Sequence, residues 1–204
     1  MVMRLGEALQ LPLDARNQFL TQAGFAATYG NREWSHSEMA PIRQAIDTTL
    51  ENHSPYPGLV LDRLWRIVQA NASASTLYQA FGIGIGDSLI DLLTSENLPP
   101  FIENWPEVAL VAAKRLRLES QAQGGIERFD KAVEHLMGQA GRPSSQTRSP
   151  VIPTIVKLGD TRLTMFATLA QIGTPEDIIL DDLKVELYFP MDDETDRVFK
   201  SLDA

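Results

Sequence analysis

The stretch Tyr56–Asn71, YPGLVLDRLWRIVQAN, constrains the fold more than any other part of the chain. Leu59, Val60 and Leu61 form one apolar run and Ile67, Val68 and Ala70 a second, with Asp62 and Arg63 as the polar break between them. Runs of that length and separation predict a pair of strands joined by a tight turn. Asn71 closes the stretch, and its side-chain oxygen suits it to cap a helix beginning at Ala72. Strand, turn, strand and capped helix is the plan of a small sheet covered by helices, and nothing in it points to catalysis.

The last third of the chain supplies the rest of the sheet. Thr154–Leu158, Leu163–Ile172 and Leu183–Phe189 are three further apolar runs, broken at Gly159-Asp160 and Gly173-Thr174-Pro175, and they read as a meander. In the final run Leu183, Val185, Leu187 and Phe189 alternate with Lys184, Glu186 and Tyr188, which predicts one buried apolar face and one solvated polar face. Between the opening pair and this meander lies a helical insert, with helices expected at Ala72–Phe81, Leu89–Leu93, Phe101–Ser120 and Ile126–Met137. In the third of these Ile102, Trp105, Val108, Ala109, Ala112 and Leu116 recur at intervals of three and four. Upstream, Met1–Gly24 reads as two short amphipathic helices and Glu38–Asn52 as a third, and the Pro55-Tyr56-Pro57-Gly58 cluster marks the main boundary. Gly138–Pro150, rich in Gly, Ser, Pro and Arg, is expected to be a surface loop.

Composition narrows the function. The chain has 204 residues, 44% of them apolar, enough for one medium domain with an appendage. Its 18 basic and 27 acidic residues give a formal charge of -9, which disfavours nucleic acid and anionic membrane surfaces as direct partners. The absence of cysteine excludes disulfides and thiolate metal sites. No stretch approaches the roughly 20 apolar residues of a membrane span, and the N-terminus lacks the apolar segment of a signal peptide, so the expected location is the cytoplasm.

The candidate motifs for chemistry are weak. Gly82-Ile83-Gly84-Ile85-Gly86 lacks the preceding strand and the glycine spacing of a dinucleotide loop, and is read as a flexible loop. His36, His53 and His135 have no partner at zinc-helix spacing and are expected at the surface. Asp181-Asp182 and Asp192-Asp193-Glu194 flank a strand as solvated edges, and Lys114, Arg115 and Arg117 read as an exposed helix face. Ser73 and Ser75 stand outside any nucleophile-elbow pattern. Neither an enzyme nor a resident cofactor or metal is expected. The Phe101–Val108 segment, with Trp105, fits core packing and the wall of an apolar pocket equally well. Gln69, Gln171 and Tyr188 are candidates for a pocket's polar contacts.

In their order along the chain, these stretches resemble bacterial XRE-type helix-turn-helix transcription regulators with a C-terminal MmyB-like, PAS-like ligand-binding domain. MRLGEALQLPLDARNQFLTQAGFAATY looks like the end of that family's DNA-binding domain and the helix after it. YPGLVLDRLWRIVQANASASTLY looks like its first strands, PFIENWPEVA like its central helix, and PVIPTIVKLGDTRLTMFATLAQIGTPEDIILDDLKVELYFP like its closing strands. The resemblance implies an α+β fold: a PAS-like five-stranded antiparallel sheet with a helical insert, preceded by N-terminal helices. It divides the chain into a helix-turn-helix remnant and following helix (1–30), a linker helix (31–54), the ligand-binding domain (55–193) and a C-terminal tail (194–204). It implies a sensor of an apolar small molecule, a fatty acid or similar lipid, in a homodimer that reaches DNA only through a helix-turn-helix domain absent from this chain. Phe81, Leu93, Phe101, Trp105, Phe166 and Leu187 are the expected pocket walls. A ligand-free interaction or dimerisation module is the alternative, because folds of this kind serve both purposes.

Overall fold

The computed structural model describes residues 1–9, 11–141, 151–173 and 175–202. The opening strands form as expected: β1 (Gly58–Leu61) pairs antiparallel with β2 (Ile67–Ala70). Asp62 holds the turn, its Oδ1 accepting the backbone N–H groups of Leu64 (2.8 Å) and Arg66 (2.9 Å). Trp65 takes a φ of 60° in this turn, a left-handed conformation uncommon for a bulky residue, and its indole is buried. Asn71 caps α4 (Ala72–Gln79) by accepting the N–H of Ala74 at 2.9 Å.

The insert continues with α5 (Leu89–Leu93), α6 (Trp105–Ala122) and α7 (Glu127–Gln139). Phe101 lies in a short 3-10 turn (Pro99–Phe101) ahead of α6, whose start is fixed by Trp105 and by Pro106 in its first turn. Ser120 locks the α6–α7 hairpin, accepting from Ile126 N–H and donating to Asp130, both at 2.8 Å. Gln139 ends α7, and residues 142–150 of the expected loop lie outside the described residues.

Strands β3 (Thr154–Leu158), β4 (Thr161–Ala170) and β5 (Lys184–Pro190) complete an antiparallel sheet of order β2-β1-β5-β4-β3. Five antiparallel strands in that order, with the helices inserted between β2 and β3, make the fold α+β and PAS-like. Upstream lie α1 (Val2–Ala8), α2 (Leu13–Gln22) and α3 (Ala40–His53). Two further helices have no counterpart in the sequence reading: α8 (Ile178–Asp182), just before β5, and α9 (Asp193–Leu202), which starts where the expected sensor core ends. Phe199 of α9 is buried in the main core.

The sheet is covered on both faces. Leu59, Leu61, Ile67, Val156, Leu163 and Met165 face the insert helices in the larger apolar cluster. Val60 and Val185 face the other way, into a smaller cluster with Ile46 and Leu50 of α3 and Leu180 and Leu183 around α8. This corrects the expectation for β5. Its polar set is not solvated: Lys184 and Glu186 are 6% and 5% exposed. Alternation shows that two faces differ, but with helices on both sides it does not show which faces water.

Candidate ligand-binding site

Between the inner face of the sheet and α4, α5 and α6 lies a cavity of about 290 Å³. Its walls are mostly apolar: Leu77 and Phe81 from α4 and its C-terminal turn, Leu89, Leu92 and Leu93 from α5, Val108 and Ala112 from α6. The sheet contributes Val156 from β3 and Met165, Ala167 and Leu169 from β4. Val111, Ile152 and Leu169 line it and are 42%, 50% and 50% exposed, so the rim toward solvent is itself apolar. The apolar lining and a few convergent polar groups resemble those of small-molecule sites, and the volume lies at the lower end of their range.

The polar groups gather at one end. Arg115 of α6 donates from Nε to Glu119 (3.1 Å) and from Nη1 to Glu186 of β5 (2.7 Å), and its guanidinium lies 4.2 Å from the centre of the Trp65 ring. Glu119 also accepts from Lys184 Nζ (2.6 Å) and from the Trp65 indole N–H (2.8 Å). Burial alone would push the Glu119 carboxyl up, but Lys184, Trp65 and Arg115 outweigh it and hold the carboxyl below its ordinary range. Arg115 Nη2 is buried and has no hydrogen-bond partner among the described residues. Next to this network the hydroxyls of Tyr78 (α4) and Tyr188 (β5) meet at 2.7 Å. Burial first, and the charge of Glu186 second, push both phenols above their ordinary range.

Strand register sorts the expected wall residues. Ala167 pairs with Tyr188 and Leu169 with Glu186, and these pairs face the cavity. The alternate pairs, Phe166 with Phe189 and Thr168 with Leu187, face the opposite side. Phe166 therefore stacks on Phe189 (5.6 Å between ring centres), and Leu187 packs with the α3 cluster. Phe81 and Leu93 line the cavity; Phe101 stands one layer behind, its ring 5.7 Å from that of Phe81. Trp105 is buried in the α6–α7 contact, donating its N–H to Gln139 at 2.6 Å, and Trp65 is the tryptophan of the cavity.

Of the polar candidates, Tyr188 lines the cavity, Gln69 is bonded to Asp47 and Gln171 is exposed. Arg115 was expected on a solvated face, yet only Lys114 and Arg117 of that basic group are exposed. The signal was present in its spacing. Arg115 stands seven residues after Val108 and three after Ala112, on the apolar stripe of α6, with Glu119 one turn further on. Among the described residues no group of three His, Asp or Glu side chains is placed to hold a metal ion, and no helix is long and apolar enough to cross a membrane.

The N-terminal helices are tied to the segment leading into β5. Asp181 Oδ2 accepts the N–H of Leu13 at the start of α2 (2.8 Å). Asp177 Oδ2 binds Arg32 Nη1 (2.9 Å), and Arg63 of the β1–β2 turn binds Asp14 of α2 (2.8 Å).

Residues 42–202 match the family model described as the MmyB-like transcription regulator ligand binding domain. Among solved structures the chain is similar to the PAS domain from Bordetella pertussis BvgS, at 12% identity over 80% of this chain and 96% of that one, with a TM-score of 0.35. The PAS-like class of this fold rests on its strand order, β2-β1-β5-β4-β3. No curated protein matches the chain.

Proposed function

This chain belongs to the family of MmyB-like transcription regulator ligand binding domains, and from that premise we propose that its cavity binds an apolar small molecule, a fatty acid or a similar long-chain lipid, and that binding is its function rather than catalysis. The observation that carries the reading is the cavity of about 290 Å³, apolar along its walls and rim and polar at one end. We place the ligand-binding unit at residues 42–202, which takes in the expected core at 55–193 together with most of α3 and all of α9. Residues 1–30 are proposed as the end of a helix-turn-helix DNA-reading part in a cytoplasmic regulator. Lys184 links the polar end of the cavity to the segment that holds α2 and Arg32, a route by which occupancy can alter how paired DNA-reading domains are held.

The test is to purify the protein without added ligand, identify the extracted apolar fraction by mass spectrometry, and titrate long-chain lipids against thermal unfolding. A ligand at roughly a hundredfold excess over its Kd should raise Tm by roughly 5–10 °C. No co-purified lipid and no Tm shift with any chain length would overturn the reading.

A second reading, a dimerisation module, has its own support. Leu5 and Leu9 at α1 and Phe19 and Phe25 around α2 are 40–60% exposed, large apolar side chains that a partner surface could cover. A homodimer through these residues predicts that Leu5→Glu with Phe19→Glu gives monomers by light scattering. Unchanged dimers, or monomers already in the parent protein, would remove the support.

A further inference from the structure

The charged groups at the polar end of the cavity are already paired with one another. Arg115 and Lys184 are its cations, Glu119 and Glu186 its carboxylates, and each carboxylate lies within 2.6–2.7 Å of a cation nitrogen. The cluster is formally neutral, so an incoming anion finds no uncompensated positive charge. It would also stand beside Glu186, which lines the same cavity and repels a second negative charge.

Hydrogen bonding tells a different story from charge. Arg115 uses Nε and Nη1 on carboxylates, and its Nη2 has no acceptor among the described residues. One proton lies between the hydroxyls of Tyr78 and Tyr188, so the second hydroxyl proton of that pair has no acceptor among the described residues. The polar end thus holds donors in surplus and charge in balance. An oxygen that accepts hydrogen bonds without carrying charge meets both conditions, since buried donors left unpaired are unfavourable and buried charges without partners more so.

We propose that Arg115, Tyr78, Tyr188 and Glu186 form a head-group subsite for an uncharged acceptor oxygen, the hydroxyl or carbonyl of a long-chain alcohol or ester. Arg115 Nη2 and the free phenolic proton donate to that oxygen, and Glu186 excludes the ionised acid. This rests on the reading of the cavity as a ligand site and selects within its lipid class. A free fatty acid enters in its protonated form.

A matched series tests it: dodecanol, methyl dodecanoate and dodecanoic acid, titrated below their aggregation limits into the intact protein, with intrinsic tryptophan fluorescence, to which Trp65 of the cavity contributes, and thermal shift as readouts. At about pH 8, where the acid is ionised, the alcohol and ester should bind roughly tenfold or more tighter than the acid. The gap should close as pH falls toward the carboxyl's own range. Glu186→Gln leaves the cluster with a net positive charge and should turn the preference toward the acid, with dodecanol binding reporting that the variant is folded. If that variant does not fold, the pH dependence of dodecanoic acid binding to the parent protein decides the matter. An acid bound as tightly as the ester at about pH 8, with affinity independent of pH, would overturn the head-group proposal and leave the ligand site standing. Failure of all three compounds to bind would instead overturn the ligand-site reading, and this proposal with it.

Discussion

Asn71 joins three elements through one buried amide, which makes Asn71→Ala a severe test of how the sheet is assembled. Its Oδ1 accepts the N–H of Gly58 at the start of β1 (3.1 Å) and of Ala74 in the first turn of α4 (2.9 Å). Its Nδ2 donates to the carbonyls of Leu50 in α3 (3.1 Å) and Tyr56 ahead of β1 (2.9 Å). Alanine removes all four. Loss of the helix cap costs ~1 kcal/mol, and a Gly58 N–H left buried without a partner costs ~1–3 kcal/mol more. With two carbonyls also losing a donor, the total expected is ~3–4 kcal/mol, a fall in Tm of roughly 6–16 °C for a chain of this size. Equilibrium urea denaturation measures it, with the slope of the transition unchanged. Asn71→Asp keeps both acceptor bonds but turns an oxygen toward two carbonyls, and should fall between parent and alanine variant. A loss below ~1 kcal/mol for Asn71→Ala would show that the cap alone matters and that the ties to α3 and β1 do not.

Other perturbations probe the cavity and its surroundings. Glu119→Ala removes the acceptor shared by Lys184, Arg115 and Trp65 and leaves buried cations short of a partner, so denaturation should show a loss of ~3–5 kcal/mol, against less than half that for Glu119→Gln. Ala112→Phe fills the space between α6 and β4 and should abolish the Tm rise given by dodecanol, while the ligand-free protein unfolds within a few degrees of the parent. Asp182 has its carboxyl pushed up to about 6, by burial first and then by the charge of Asp181, against the pull of Arg63. A carboxyl raised on folding contributes stability that is complete below its unfolded value and is lost as pH rises through about 6. Asp182→Asn should therefore be more stable than the parent at about pH 7, by roughly 1 kcal/mol given that the group is partly exposed, and no more stable at about pH 4. An equal difference at both pH values would refute it.

The sheet and most helices were legible in the sequence because local signals agreed there. Asp62 and Asn71 mark the turn and the cap by chemistry that works within a few residues, and the apolar spacing of α6, from Trp105 to Leu116, is sustained over about three turns. What escaped depends on partners far along the chain. Glu186 and Lys184 look solvated until Arg115 and Glu119, some 65–71 residues away, neutralise them inside the fold. The side of the sheet on which Phe166 and Leu187 lie follows from α3 covering the outer face, a fact no alternation pattern contains. α9 was missed because Val198 and Phe199 are its only large apolar residues before Leu202 in a run of charges. Its placement depends on Asp192 accepting the N–H of Thr195 (2.7 Å) and on Thr195 accepting the N–H of Thr164 (2.9 Å).

The central claim, that a long apolar molecule lies between the sheet and α4–α6, is tested most directly by a crystal structure of the protein grown with dodecanol. The account predicts elongated density along Phe81, Leu93, Ala112 and Met165, with its oxygen at Arg115 and the Tyr78–Tyr188 pair. A cavity collapsed by repacking of those side chains, or density confined to the outer surface, would contradict it.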